Sequence, residues 1–113
     1  MAGPAEADAI DYATYILMTS RSPESARKWL DGLYDEIKSL AKMPNRFPII
    51  PESDELGSEY RSLLYHSHRV IYAVQEADSL VIVLRVYHSA RLSLTRRDLN
   101  YSLHRPARIS SIA

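Results

Sequence analysis

The sequence predicts an α+β domain in which an N-terminal antiparallel helical hairpin packs on a twisted antiparallel β-sheet. Three observations predict it. Apolar residues recur at helical spacing over roughly the first forty residues, with one break at Ser20-Arg21-Ser22-Pro23. Pro44, Pro48, Pro51 and Gly57 then interrupt any regular element. Beyond them, the stretch YRSLLYHSHRVIYAVQEADSLVIVLRVYHSAR, residues 60–91, holds three short apolar runs whose connections are too short for parallel crossovers.

The first helix is predicted over residues 5–20, where Ala9, Tyr12 or Ala13, Ile16 and Leu17 recur on one face. Asp8 and Asp11 lie toward its positive N-terminal end. Ser22 is a suitable N-cap for a second helix and Pro23 a suitable first residue. That helix is expected to reach Lys42, with Ala26, Leu30, Leu33, Tyr34, Ile37 and Leu40 as its apolar stripe and Trp29 beside it. The short break makes the pair, residues 5–42, an αα-hairpin.

Residues 43–58 read as a loop, and the β-meander spans 60–88. Its strands are predicted at 60–66, 69–75 and 80–87 from their Tyr, Val, Ile and Leu content. Ser67-His68 and Glu76-Ala77-Asp78-Ser79 are the expected turns. Leu80 to Leu84 is apolar at every position, as expected of a central strand covered on both faces. The tail, 92–113, opens with a helical pattern that Pro106 ends.

At 113 residues with 46% apolar content, the chain forms one domain, 1–113, with a modest core. It has no cysteine, hence neither disulfides nor a thiolate metal site. No apolar run approaches the roughly 18 residues that span a bilayer, and the N-terminus lacks signal-peptide blocks; a cytoplasmic protein away from membranes is expected. The formal net charge is zero but divided: residues 1–59 carry six Lys/Arg and eleven Asp/Glu, and residues 60–113 carry eight Arg and three acids. Arg suits bidentate contact with carboxylate or phosphate. A neutral total argues against a generic nucleic-acid binder. No His/Glu spacing makes a metal site, and no cofactor motif is present.

The order of these pieces resembles the RelE/ParE superfamily, the toxins of type II toxin–antitoxin (plasmid stabilisation) systems, in its ParE-like branch. The resemblance runs from Ala5 to Leu94. It is carried by Ala5, Asp8, Tyr12, Tyr15 and Ile16 in the first helix and by SPESARKWLDGLYDEIKSLAKMPNRFPIIPE in the second helix and its exit. Arg61-Ser62-Leu63, His68-Arg69-Val70-Ile71-Tyr72 and Val83-Leu84-Arg85-Val86-Tyr87-His88-Ser89-Ala90-Arg91 carry it through the sheet. One departure is visible. Family members open with an edge strand, and only Met1 to Pro4 precede the helix here. An absent first strand would leave a sheet edge open to a second copy or to an antitoxin.

The resemblance implies a growth inhibitor neutralised by a cognate antitoxin, acting on DNA gyrase by binding. The alternatives are a ribosome-dependent mRNA endoribonuclease or an inactive relative serving as a binding module. As a nuclease, the chain would use His88, Arg69 and Arg91 as catalytic groups, since attack by a ribose hydroxyl needs proton transfer and cations for the phosphorane charge. As a binder, it would present Arg61, Arg69, Arg85, Arg91, Arg96 and Arg97 to target or antitoxin carboxylates. Arg69 could instead pair with Glu59 or Glu76. Tyr65, Tyr72 and Tyr87 are expected to pack in the sheet, and His66 and His68, near a turn, to be solvated.

Overall fold

The computed structural model describes residues 1–78 and 80–89. Two helices, α1 (Gly3–Ser20) and α2 (Pro23–Ser39), pack on one face of a three-stranded sheet. A single helical turn, α3 (Ser53–Leu56), precedes β1 (Arg61–Tyr65), β2 (His68–Gln75) and β3 (Leu80–His88). A 3₁₀ turn at Glu76–Asp78 leads from β2 toward β3. The strand order is β1-β2-β3 and both pairings are antiparallel, so β3, expected as a central strand, lies at the sheet edge and is apolar because a core covers each of its faces. This is the α+β architecture expected from the sequence.

The hairpin turns where its residues dictate. Arg21 ends α1 in the left-handed region (φ 56°), donating its N–H to the Leu17 carbonyl at 2.8 Å. Ser22 caps α2: its Oγ accepts the Ser25 N–H at 3.1 Å, and Pro23 follows in the first turn. The far end of α2 differs from expectation, stopping at Ser39 rather than Lys42. Leu40, Ala41 and Lys42 each donate to the carbonyl three residues back, which tightens the last turn. Arg46 closes it, donating to the Ser39 carbonyl at 3.0 Å and to Ser39 Oγ at 2.7 Å.

The buried face of α1 also differs. Ala5, Ala9 and Ala13 line it, whereas Leu17 is exposed and Ile16 half-buried. Small side chains bring the helix axis close to its neighbours, and larger residues one step around the helix are left outside. In α2 the expected stripe holds, with Ala26, Leu33, Ile37 and Leu40 buried. Gly32 lies on this helix where a Cβ would overlap the Tyr65 hydroxyl. That hydroxyl donates to the Trp29 carbonyl at 2.8 Å, so the glycine makes room for a strand-to-helix hydrogen bond.

The segment between α2 and β1 is pinned at several points. Tyr72 Oη donates to the Pro44 carbonyl (2.6 Å), and Arg61 Nη1 donates to the carbonyls of Asn45 (3.1 Å) and Phe47 (2.6 Å). The Ser62 N–H donates to the Pro48 carbonyl, and Ile49 bridges to Arg61. Buried Ser53 both donates to the Tyr60 carbonyl and accepts the Tyr60 N–H. Side chains and neighbouring backbone thus satisfy a stretch that prolines keep out of helix and sheet.

The β1–β2 turn is His66-Ser67, with His66 in the left-handed region (φ 51°), one residue earlier than expected. In β3 a bulge interrupts the ladder: Ile71 faces Arg85 but Tyr72 faces Val83, so Leu84 is the extra residue. Val81 and Val83 belong to the core under the helices, and Ile82 and Leu84 to the core on the opposite face. Past the bulge the phase inverts. Val86 joins the helix side and Tyr87 the opposite core, with Ile50, Tyr60 and Ile71. On the outer edge of β3, the Ala2 N–H donates to the Val83 carbonyl at 2.9 Å.

Replacing Gly32 with alanine should destabilise the protein by about 1–3 kcal/mol, despite alanine's better helix propensity, because the added methyl displaces Tyr65. Urea unfolding measures it. Adding Tyr65→Phe to that variant should cost less than the two single changes together, since the clashing hydroxyl is gone.

Candidate functional site

The bulge has a chemical consequence at the end of the sheet. It turns His88 toward the helices, directly opposite His68 in the ladder. The two imidazoles meet edge to face, centroids 5.1 Å apart. Tyr12 from α1 lies 4.1 Å from His68, and Trp29 from α2 lies 5.2 Å from it. Two strands and two helices therefore converge on one side chain. His68, expected to be solvated, is only 3% exposed. The early turn starts β2 at His68 and places it under the hairpin.

Asp8 fixes α1 over this cluster. Its carboxylate accepts Arg85 Nε (2.8 Å), Arg85 Nη2 (2.8 Å) and the Val86 backbone N–H (2.9 Å). Arg85 springs from the face opposite the helices and stacks on Tyr87, 4.4 Å from the ring centroid. It reaches Asp8 around the sheet edge. Between α1 and the end of β3 an open cleft of about 430 Å³ remains, lined by Asp8, Asp11, Tyr12, Tyr15, His68, Val86 and His88. Asp8, Asp11, Tyr12 and Tyr15 recur at three- and four-residue intervals, so one helix face supplies most of one wall.

Burial holds the His68 pKa below its usual value; the neighbouring His88 adds to the effect and Asp8 partly opposes it. The folded state thus favours the neutral ring of His68. Among the described residues, no group of three or more His, Asp or Glu side chains could hold a metal ion.

The residues singled out from sequence are placed as follows. His88 is in the cluster. Arg69 is on the other face of the sheet, paired with Glu52 at 3.3 Å rather than with Glu59 or Glu76, in a half-buried ion pair. Arg61 is tied to loop carbonyls and Arg85 to Asp8. Arg91, Arg96 and Arg97 lie outside the described residues. His88 and Arg69 are therefore not brought together. Asp8, Tyr12, Trp29 and His68 are the members that sequence reasoning did not assign to a site. The one signal for them is the i, i+4 spacing of Asp8 and Tyr12.

Two helices on a three-stranded antiparallel meander, with a pinned proline-rich segment between them, define a small α+β domain. The family described as ParE toxin of type II toxin-antitoxin system, parDE, matches residues 1–93, and the chain belongs to that family. No curated protein matches it significantly. Membership implies a cognate ParD antitoxin. No helix among the described residues is long and apolar enough to cross a membrane.

Two outcomes test the cluster. Asp8→Asn should destabilise by about 2–3 kcal/mol, since it leaves the Arg85 charge without its carboxylate; thermal and urea unfolding read it. The second is a pH dependence. His68 binds a proton less readily folded than unfolded, so its contribution is complete above the unfolded value of 6.5 and is lost as pH falls through and below it. Melting temperature should therefore drop on acidification below that value, and His68→Phe should flatten the drop.

Proposed function

We propose that this ParE-family toxin inhibits growth in the cytoplasm by binding DNA gyrase, with no bond-breaking chemistry of its own, and that its ParD antitoxin blocks the binding surface. The observation that carries the reading is the location of Arg69. A nuclease built on His88 and Arg69 would need both on one surface to meet one phosphate. Here the sheet lies between them, and Arg69 is engaged with Glu52. The other described arginines of the expected basic surface are likewise occupied in holding the fold. Arg91, Arg96 and Arg97, outside the described residues, are the cations we assign to carboxylates of the antitoxin or target.

Purified protein should inhibit gyrase supercoiling of relaxed plasmid in proportion to its concentration, and pre-mixing with antitoxin should abolish the effect. Induced expression should arrest growth while reporter mRNA stays intact. Codon-phased mRNA cuts with unaffected supercoiling would overturn the reading in favour of the nuclease.

A further inference from the structure

The cleft beside the His pair has a chemistry opposite to the arginine-rich surface anticipated from sequence. No Lys or Arg lines it among the described residues. Its Asp8 carboxylate is already bound to Arg85 and the Val86 N–H. Asp11, one turn on and exposed, makes no ion pair among the described residues. The Tyr12 and Tyr15 rings stand side by side, 5.5 Å apart and tilted by 31°, and Tyr15 is 57% exposed. An aromatic ring held out in solvent beside a carboxylate suits a cation, which the ring face and the carboxylate attract together.

The buried histidine adds an independent observation. His68 is 97% buried, yet it lines the cleft. Its Nδ1 has Ser67 Oγ at 3.5 Å as a neighbour, whereas its Nε2 has no hydrogen-bond partner among the described residues. In the tautomer that carries its proton on Nδ1, Nε2 is a hydrogen-bond acceptor. A ligand that meets Nε2, Asp11 and the tyrosine faces must donate in two directions, carry positive charge and be flat enough to stack. A guanidinium does all three, and an ammonium lacks the planarity.

We propose that this cleft receives an arginine side chain of the antitoxin, with Asp11 as its counter-ion, Tyr12 and Tyr15 as its stacking surface and His68 Nε2 as a further acceptor. The partner assignment rests on the toxin reading above; the chemistry of the cleft does not. The open side of the cleft admits a side chain from outside the molecule, while Arg61 and Arg69 are held elsewhere and Arg85 is already engaged with Asp8 at the cleft wall.

The test is in two parts. First, the full chain is titrated with N-acetyl-arginine amide and, separately, with its neutral isostere N-acetyl-citrulline amide, following the His68, His88, Tyr12 and Tyr15 ring resonances by NMR. Saturable shifts with the arginine compound are expected, with about a tenfold weakening for Asp11→Asn or Tyr15→Ala and for citrulline. Equal binding of the two compounds, no saturable shift, or an undiminished response in Asp11→Asn would overturn the site. Both substituted residues are exposed, so folding should be retained, and the amide spectrum of each variant checks it. This arm needs neither toxicity nor gyrase, so its result stands apart from the supercoiling assay. Second, antitoxin affinity is measured against the same variants. A loss of about tenfold that shrinks for Asp11→Asn as salt is raised supports the partner; unchanged affinity overturns it.

Discussion

Asp8 holds the first helix against the outer edge of the last strand, and the cleft, the His pair and the path of Arg85 all depend on that contact. The reason is visible in what α1 buries. Its inward residues are Ala5, Ala9 and Ala13, each contributing one methyl to the core. At about 0.8 kcal/mol per buried carbon, their combined burial comes to roughly 2 kcal/mol, no more than the expected cost of losing the Asp8 charge. A stripe of alanines permits close approach but defines azimuth and register poorly. A carboxylate that receives two guanidinium N–H groups and a backbone N–H defines both.

Three other arginines act in the same way. Arg46 caps α2, Arg61 ties the proline-rich segment to β1, and Arg69 joins α3's neighbourhood to β2 through Glu52. A guanidinium suits these tasks because one planar group can donate to several fixed oxygens at once. A sequence whose second half bears eight arginines and no lysine therefore need not present a basic surface. Arg46, Arg61, Arg69 and Arg85 serve as internal fasteners, and the accessible charge beside the aromatic cluster is acidic.

Rigidity is distributed to match. The segment from Pro44 to Tyr60 has little regular structure, yet its carbonyls are claimed by Arg61, Tyr72 and the Ser62 N–H, and Ser53 latches it to Tyr60. It covers the face of the sheet away from the helices, where Ile50 and Tyr60 pack on Ile71, Ile82 and Leu84. The edge strand β3 is thereby covered on both faces, which is why Leu80 to Leu84 is apolar at every position.

The helices, their break at Ser22-Pro23, the proline-rich interruption and the antiparallel meander were determined by the sequence alone, because each rests on a local property. Capping side chains, proline's fixed φ, helical spacing and short connections act within a few residues of themselves. The family resemblance rested on the same pieces. What only the tertiary structure decided is which way the ends face. Strict alternation from Val81 and Val83 would have put Arg85 and Tyr87 under the helices and His88 on the far side. The bulge at Leu84 reverses the phase, sending His88 to His68 and Arg85 around the edge to Asp8. A bulge is set by the fit of two cores and a distant carboxylate, seventy-seven residues away in the chain for Arg85, and no local pattern in β3 announces it. His68 is buried rather than solvated for the same reason: its burial comes from Tyr12 and Trp29, which only the packing of the hairpin brings to it.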